Sequence, residues 1–209
     1  QPREGQIDGL HREDGRVGTA NHWLVVPLVF FDYRNIRIVQ ASLSEALGYA
    51  SERAFSVDVR ALVAGYQKGA SAEQLLQIEV IRSREQQRQA RPFPNIDGIK
   101  FLTHEGGCGG TREDAEALCE LLAGYITHPN VAGATVLSLG CQHAQIALLQ
   151  AAIEKRAPKC ARPIYFLEQQ KSRSERDFIE QAVKQTFVGL IAANACQRYP
   201  APLSKLIVG

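Results

Sequence analysis

The chain has 209 residues, of which 45% are hydrophobic and 22% charged, and its net charge is +2. These values are typical of a globular protein of one or two domains. The small net charge excludes a strong electrostatic field that would favour binding to nucleic acid or to an anionic membrane. No apolar run reaches 18 residues, so no transmembrane helix is expected, and the polar start excludes a secretory signal.

The cysteines and the chain ends add two expectations. Five cysteines at irregular spacing do not indicate a disulfide framework, so we expect reduced thiols and a cytoplasmic protein. The chain contains no methionine, and residues 204–209 have the pattern of a strand that has just begun. We therefore expect the chain to be part of a longer polypeptide.

The first half begins with a polar, glycine-rich segment, 1–21, with a turn predicted at 14–18. Residues 22–31 are nearly all apolar, which predicts a strand buried on both faces. Pro27 predicts a break or bend in it, because proline cannot donate to a sheet ladder. The polar loop 32–35 then leads into an amphipathic helix, whose apolar positions are Ile36, Val39, Leu43, Ala46 and Leu47.

Residues 51–91 have a helical pattern that becomes increasingly polar, and 82–91 are predicted to be a solvated helix. After Pro92 the chain repeats one order three times: strand, loop, helix. The strands are predicted at 96–103, 131–139 and 163–167, the loops at 104–110, 140–143 and 168–174, and the helices at 111–127, 144–156 and 175–197.

This alternation predicts the α/β class, a three-layer αβα fold with a mainly parallel sheet, Rossmann-like or flavodoxin-like. Ligands of such sheets bind outside the carboxyl ends of the strands. The loops that follow the predicted strands are polar and carry reactive side chains, whereas the opposite loops, 128–130 and 157–160, look like plain turns. The asymmetry predicts a small-molecule site at the carboxyl ends of the strands.

Two cysteines occupy matching positions in neighbouring loops. Cys108 lies in the glycine-rich loop 104–110, and Cys141 lies in the turn after the next strand. Thiolates bind metals and act as nucleophiles, so the pair is consistent with one shared metal or cluster. The competing interpretation is chance placement of small residues in tight turns.

His104 and Glu105 are candidates for metal binding or acid–base catalysis, because histidine titrates near neutral pH. His143 is a further candidate, since it follows Cys141 by two residues. The alternatives are that His104 caps a strand end through backbone hydrogen bonds and that His143 is a surface residue at a helix start. His128 precedes a proline and is predicted to be structural.

Four basic side chains in loops could meet an acidic substrate: Arg16, Arg34, Lys171 and Arg173. Arg16 is the strongest of them, because glycines flank it in a tight turn, although loop arginines are usually solvated. Motifs for dinucleotides, for nucleotide phosphates, for serine hydrolases and for CxxC zinc sites do not occur.

Several segments, taken in order, resemble the middle domain of the altronate and galactarate dehydratase family. They are DGRVGTAN at 14–21, THEGGCG at 103–109, HPN at 128–130 with LGCQ at 139–142, and FLEQQ at 166–170. Residues 202–209 resemble the lead into the family's next block, which begins with another cysteine. The chain departs from the family at Ala20, where the family has arginine, and at Gln142, where it has glutamate.

The resemblance implies a hydro-lyase that dehydrates a sugar acid, such as D-altronate to 2-keto-3-deoxygluconate, with iron (Fe²⁺ or an iron–sulfur cluster) or Mn²⁺. It implies a domain over 22–203, entered by 1–21 and followed at 204–209 by a C-terminal domain. The expected partners are the N- and C-terminal domains of the same polypeptide and a second copy in a homodimer. With the residues above, the expected sites are catalytic His104, Glu105, Cys108 and His143; metal-binding Cys108 and Cys141; and substrate-binding Arg16, Asn21, Arg34, Gln169 and Lys171.

Other functions remain open at this point. Related large subunits eliminate sulfite from sulfolactate instead of water from a sugar acid. A non-catalytic scaffold or dimerisation domain would not require the strand-end loops to converge, whereas catalysis requires Cys108 and Cys141 to share one hollow. A nucleotide-binding domain is a third alternative, and the missing phosphate-binding loop counts against it.

Overall fold

The computed structural model describes residues 5–29, 33–49, 55–83 and 91–205. The chain divides into two units, one made of Gln1–Leu43 with Phe93–Gly209 and the other of Ser44–Pro92. In chain order the strands are β1 (Gln6–His11), β2 (Val17–Gly18), β3 (His22–Pro27), β4 (Phe55–Val57), β5 (Ile81–Ser83), β6 (Gly98–Phe101), β7 (Val131–Ser138), β8 (Ile164–Glu168) and β9 (Tyr199–Pro202). The helices are α1 (Tyr33–Ala46), α2 (Arg60–Gln67), α3 (Ala72–Leu76), α4 (Arg112–Ile126), α5 (Ile146–Arg156) and α6 (Glu175–Asn194).

A parallel sheet with the strand order β6-β3-β7-β8 forms the centre of the larger unit. Every residue of β7 is buried, as expected for an apolar strand covered on both faces. The chain runs from β3 outward to β6, returns across β3 to β7 and continues to β8. The order is the 2-1-3-4 arrangement of flavodoxin-like sheets, and the predicted three-layer α/β class is confirmed.

One face of the sheet packs on α4 and α5. Leu24 and Val26 of β3 contact a buried cluster that includes Cys119, Leu122 and Leu149 from these helices. Burial raises the pKa of the Cys119 thiol to about 11, so this cysteine is an inert core residue, as its place in the helical pattern predicts.

The other face packs on α6 around Trp23, which is completely buried. The indole lies so close to α6 that a Cβ at Gly189 would be 2.0 Å from its Cη2 atom. Trp23 Nε1 donates to Thr135 Oγ1 at 3.1 Å, and Thr135 Oγ1 lies 2.7 Å from Thr186 Oγ1 on α6. The sheet and this helix are therefore joined by a satisfied polar chain within an apolar layer.

A small antiparallel sheet of order β2-β1-β9 was not predicted. β1 pairs with β9, and Gln6 lies opposite Pro202. Glycines and prolines in these short segments hide the strand pattern, and the prolines of β9 are tolerated because the strand lies at a sheet edge. Helix α6 ends at Asn194 rather than 197, which leaves residues 199–202 free to form β9.

In the second unit, β4 and β5 pair antiparallel and flank α2 and α3. A capping box starts α3: Ser71 Oγ accepts from Gln74 N, and Gln74 Oε1 accepts from Ser71 N. The expectation of a continuous helical region over 51–91 is therefore wrong at both strands. Residues 84–90 of the predicted solvated helix lie outside the described residues.

The predicted strand over 22–31 ends at Pro27, where the sequence predicts a break or bend, although Leu28 N still donates to Leu137 O at 2.8 Å. Residues 30–31 of the apolar run lie outside the described residues. Within the described ranges, no helix combines the length and the apolar character needed to cross a lipid bilayer.

Candidate functional site

The carboxyl edge of the parallel sheet is where its strands end, at Pro27, Phe101, Ser138 and Glu168. The chain leaves β3 toward one side of the sheet and leaves β7 toward the other, so a crevice is expected between these two strand ends. Helices α1, α4, α5 and α6 begin at this edge. The topology therefore brings the polar loops after β3, β6, β7 and β8 together.

Hydrogen bonds join these four loops in sequence. His104 Nε2 lies 2.7 Å from the carbonyl oxygen of Pro27, and Ala144 N donates to Gly107 O at 3.2 Å. Gln170 N donates to Leu139 O at 3.1 Å, which ties the loop after β8 to the loop after β7. The predicted convergence of the strand-end loops is thus present in the structure.

Gly107 holds the glycine-rich loop against the end of β3. Its φ is +97°, and a Cβ at this position would lie 2.0 Å from the carbonyl oxygen of Leu28. Only glycine fits such a backbone conformation and such a close approach. The loop after β6 therefore crosses the end of β3 and reaches the loop after β7.

His104 has both ring nitrogens engaged by backbone groups. Nδ1 accepts from Gly106 N at 3.1 Å, so the proton lies on Nε2, which donates to Pro27 O. This is the strand-end cap considered above. In this arrangement the imidazole orients the loop, and its catalytic role stays a prediction.

Cys108 and Cys141 lie on loops that are joined directly, because Gly107 and Ala144 share a hydrogen bond. Cys108 is half-buried and Cys141 is exposed, and neither lies in apolar packing like that of Cys119. Among the described residues, no three histidine, cysteine or carboxylate side chains group closely enough to hold a metal ion. The two thiols would therefore need further ligands to complete a metal site.

Glu105 and His143 are both exposed at this edge. His143 lines an open cleft of about 420 Å³ together with Arg112, Gln145 and Leu148, at the starts of α4 and α5. A carboxylate and an imidazole that are both accessible to a ligand could move protons there. Their roles as acid and base stay predictions.

Charged and amide groups form the other side of the edge. Lys171 Nζ lies 2.9 Å from Glu168 Oε2, and Arg34 Nη1 lies 3.7 Å from Glu175 Oε1. Gln169 Oε1 accepts from Asn35 Nδ2 at 3.4 Å. The structure therefore brings three predicted substrate-binding residues, Arg34, Gln169 and Lys171, to one region.

The remaining two predicted substrate-binding residues lie at the amino edge, where the parallel strands begin at His22, Gly98, Val131 and Ile164. Arg16 Nη2 donates to Thr127 O at 2.6 Å, and the same guanidinium binds Asp14 through two hydrogen bonds. The hydrogen bond from Arg16 holds the pKa of Asp14 below its usual range. The structure does not bring Arg16 to the carboxyl edge.

Asn21 is fully buried at the same amino edge. Its Nδ2 donates to Asn95 O and Ala193 O, at 2.9 and 3.0 Å, and its Oδ1 accepts from Arg12 Nη2 at 3.1 Å. No accessible polar atom remains for a ligand, so this amide joins strands and helix ends instead.

The HPN segment locks into the first motif segment. Asn130 Oδ1 accepts from Thr19 N at 2.7 Å and from Ala20 N at 3.3 Å. His128 Nδ1 accepts from Asn130 N at 3.1 Å, in agreement with its predicted structural role. Two of the recognised motif segments therefore build the amino edge.

Sequence reasoning missed two amides at the carboxyl edge. Gln142 is buried and spans the loop after β7: its Nε2 donates to Ser138 Oγ and Ala144 O, and its Oε1 accepts from Gly140 N. Asn35 is buried beside Gln169. The available signal was its position in the predicted polar loop 32–35 after an apolar run, although no feature of the sequence distinguishes it from its neighbour Arg34.

Comparisons with known proteins place most of the chain in one family. Residues 9–194 match the family described as D-galactarate dehydratase/Altronate hydrolase, second domain. The altronate dehydratase of Bacillus subtilis (strain 168) is 30% identical over 122 residues, which cover 58% of this chain and 23% of that protein. The match thus spans about a quarter of the length of this curated relative. No solved structure matches the chain.

Proposed function

Because the chain belongs to the D-galactarate dehydratase/altronate hydrolase family and matches its second domain, we propose that it forms part of a hydro-lyase that dehydrates a sugar acid. D-Altronate, converted to 2-keto-3-deoxygluconate, is the proposed substrate, since the relative from Bacillus subtilis is an altronate dehydratase. The observation that carries the proposal is the hydrogen-bonded union of four polar loops at the carboxyl edge.

The reaction needs a base and an acid. A base removes the proton from the carbon next to the carboxylate, hydroxide leaves the neighbouring carbon with a proton from an acid, and the resulting enol tautomerises to the 2-keto acid. Glu105 is the proposed base, because it is an exposed carboxylate beside the fixed loop, while His104 orients that loop. His143 is the proposed acid, since it lines the adjacent cleft.

Substrate binding is proposed for the groups opposite. Lys171 and Arg34 supply positive charge for the substrate carboxylate, and Gln169 supplies an amide for a hydroxyl group. Lys171 already binds one carboxylate, that of Glu168. Arg16 and Asn21 are left out of this set, because their hydrogen bonds hold the amino edge together.

A dehydration assay of the full-length protein that carries this domain tests the proposal. The panel contains aldonic and aldaric acids, with sulfolactate as a separate arm, and each is assayed with and without ferrous iron. We expect Lys171→Met to raise KM about tenfold or more, because a charge-assisted hydrogen bond is lost. Lys184→Met is the matched control, since Lys184 also pairs with a glutamate but on the exposed face of α6.

Loss of water from no member of the panel would overturn the proposal. If the only reaction is release of sulfite from sulfolactate, the proposed substrate is wrong but the assignment as a lyase stands. Equal kinetics for the Lys171 and Lys184 variants would remove the proposed carboxylate-binding group.

Iron, or Mn²⁺ in its place, stays a proposal that rests on two thiols. Cysteine ligands suit iron and iron–sulfur clusters, and a metal would supply a Lewis acid for the departing hydroxide. The described residues alone do not complete a ligand set, so the proton transfers above do not depend on a metal.

Iron content gives a separate measurement. In anaerobically purified full-length protein, we expect Cys108→Ser and Cys141→Ser each to lose more than half of the bound iron, because each removes one thiolate ligand. Cys196→Ser is the control, since this exposed cysteine lies at the end of α6. Full iron content in both loop variants would end the metal proposal and leave the dehydration proposal standing.

A further inference from the structure

Asn35 contains one of the two buried side-chain polar atoms that have no hydrogen-bond partner within the described residues; the other is His22 Nδ1 at the amino edge. The residue lies in the first turn of α1 and is only 4% exposed. Its Oδ1 has no hydrogen-bond partner anywhere in the part of the chain that the structure describes. A buried amide oxygen left unpaired costs free energy, so native proteins rarely keep one without a function.

The position of this oxygen relates it to the carboxyl edge. The other end of the same amide, Nδ2, donates to Gln169 Oε1 at 3.4 Å, in the turn directly after β8. Asn35 follows β3 and Gln169 follows β8, and β7 lies between these strands in the sheet. The amide pair therefore spans the end of β7, beside the expected crevice between β3 and β7.

The surrounding groups fit a polyhydroxy acid. Arg34 precedes Asn35 in the first turn of α1 and Lys171 lies in the same turn as Gln169, and both already face carboxylates, those of Glu175 and Glu168. An amide oxygen accepts a hydrogen bond from a hydroxyl group and has no use for a carboxylate. A ligand with both groups would add a carboxylate for these cations and a hydroxyl donor for the unpaired oxygen.

We propose that Asn35 binds the substrate directly, its Oδ1 accepting a hydrogen bond from a hydroxyl group of the sugar acid while Nδ2 holds Gln169 in place. The inference rests on the proposed dehydratase function and adds one substrate-binding residue to it. Asn35 is not an acid or a base in this role. It selects ligands that present a hydroxyl at the correct distance from their carboxylate.

The test replaces the amide by an apolar side chain of similar size in the full-length protein. Asn35→Leu is expected to raise both KM and the dissociation constant for the hydroxylated acid about tenfold, the usual effect of one lost neutral hydrogen bond. A series of aldonic acids, each lacking a different hydroxyl group, identifies the hydroxyl that donates to Asn35 Oδ1. For the analogue without that hydroxyl, wild type and Asn35→Leu are expected to bind equally.

Thr186→Val is the matched control. It also exchanges a buried polar group for an apolar one, but Thr186 pairs with Thr135 in the interior. We expect it to lower the melting temperature without changing KM or the dissociation constant. Asn35→Leu is expected to leave the melting temperature equal or higher, because it removes an unsatisfied oxygen.

Binding measured by calorimetry separates the two ideas. Weaker sugar-acid binding by Asn35→Leu, with no turnover by the wild type, would keep this inference and reject the dehydration. Unchanged binding of every analogue by Asn35→Leu would overturn the inference, and an ordered water would then be the partner of Oδ1. Failure of the wild type to bind any sugar acid would overturn both.

Discussion

At the scale of single residues, the motif segments divide by the end of the sheet at which they lie. Arg16 and Asn21 come from the motif segment 14–21 and were predicted to bind substrate, yet their side chains bind backbone carbonyls and neighbouring side chains at the amino edge. His104 and Gly107 come from a motif at the carboxyl edge and fix a loop there. The sequence shows which residue types are present, but only the contacts show whether their polar atoms remain free.

The contact between Gly107 and Leu28 can be tested by adding one methyl group. We expect Gly107→Ala to lower the free energy of unfolding by about 2 kcal/mol or more. The alanine backbone would be strained at this positive φ, and the new Cβ would collide with the Leu28 carbonyl. Gly109→Ala is the control: its φ is +81°, but no atom lies within 4 Å of the added Cβ. Urea unfolding gives both values, and equal losses would show that the loop does not dock on β3.

At the scale of helices and strands, apolar runs predict the parallel strands well, above all the central strands β3 and β7, whose residues are almost all buried. The antiparallel strands β1, β2 and β9 escaped prediction for a physical reason. They contain glycine or proline, and β1 and β9 pair with each other across most of the chain, as in the pairing of Gln6 with Pro202. Local patterns carry no information about such pairing.

Two helical glycines, one on α6 and one on α4, are expected to respond to alanine substitution with opposite changes in stability. Gly189→Ala is expected to destabilise the fold by about 1–3 kcal/mol, because its Cβ would lie 2.0 Å from Trp23. Gly124→Ala on α4 meets only the flexible Arg156 side chain at 3.5 Å, so the better helix propensity of alanine should stabilise by up to about 1 kcal/mol. Thermal and urea unfolding of both variants check the signs. Destabilisation of equal size in both would contradict the close approach of Trp23.

At the scale of the whole larger unit, the sheet separates two kinds of polar chemistry. The amino edge holds satisfied pairs such as Asp14 with Arg16, and the carboxyl edge holds accessible groups such as Glu105 and His143. The proposed location of the site at the carboxyl edge was predictable, because it follows from the direction of parallel strands. The proposed role of Asn35 was not, because it depends on a contact between two side chains more than a hundred residues apart in the chain.

The amino edge also predicts how stability responds to acid. Burial lowers the pKa of His22 and of His128, so the unfolded chain binds more protons below its histidine pKa of about 6.5. Stability should therefore fall as the pH drops below about 6.5, by at most about 1.4 kcal/mol per pH unit for the half-buried His22 and by less for the exposed His128, which water screens. The Asp14 carboxylate stabilises the fold above its unfolded pKa of about 3.9, and this contribution is lost as the pH falls through the lowered folded pKa.

Urea unfolding between pH 7.5 and 3 measures both steps. We expect His22→Gln to flatten the first step and Asp14→Asn to flatten the second. His143→Gln serves as the control, because this exposed residue lies at the other edge. His128→Gln is measured in the same way. If the first step keeps its full size in both His22→Gln and His128→Gln, another group causes it.

The β1–β9 ladder has a mechanical consequence. Gln6 and Pro202 are opposite each other at one end of two antiparallel strands, so tension applied to these two residues would unzip the ladder rung by rung. Arg12 directly follows β1, and its side chain makes buried hydrogen bonds to Pro129 and Asn21. The main resistance to further extension is expected when the force reaches these bonds. A stretching experiment should therefore find an early, soft extension followed by one abrupt rupture.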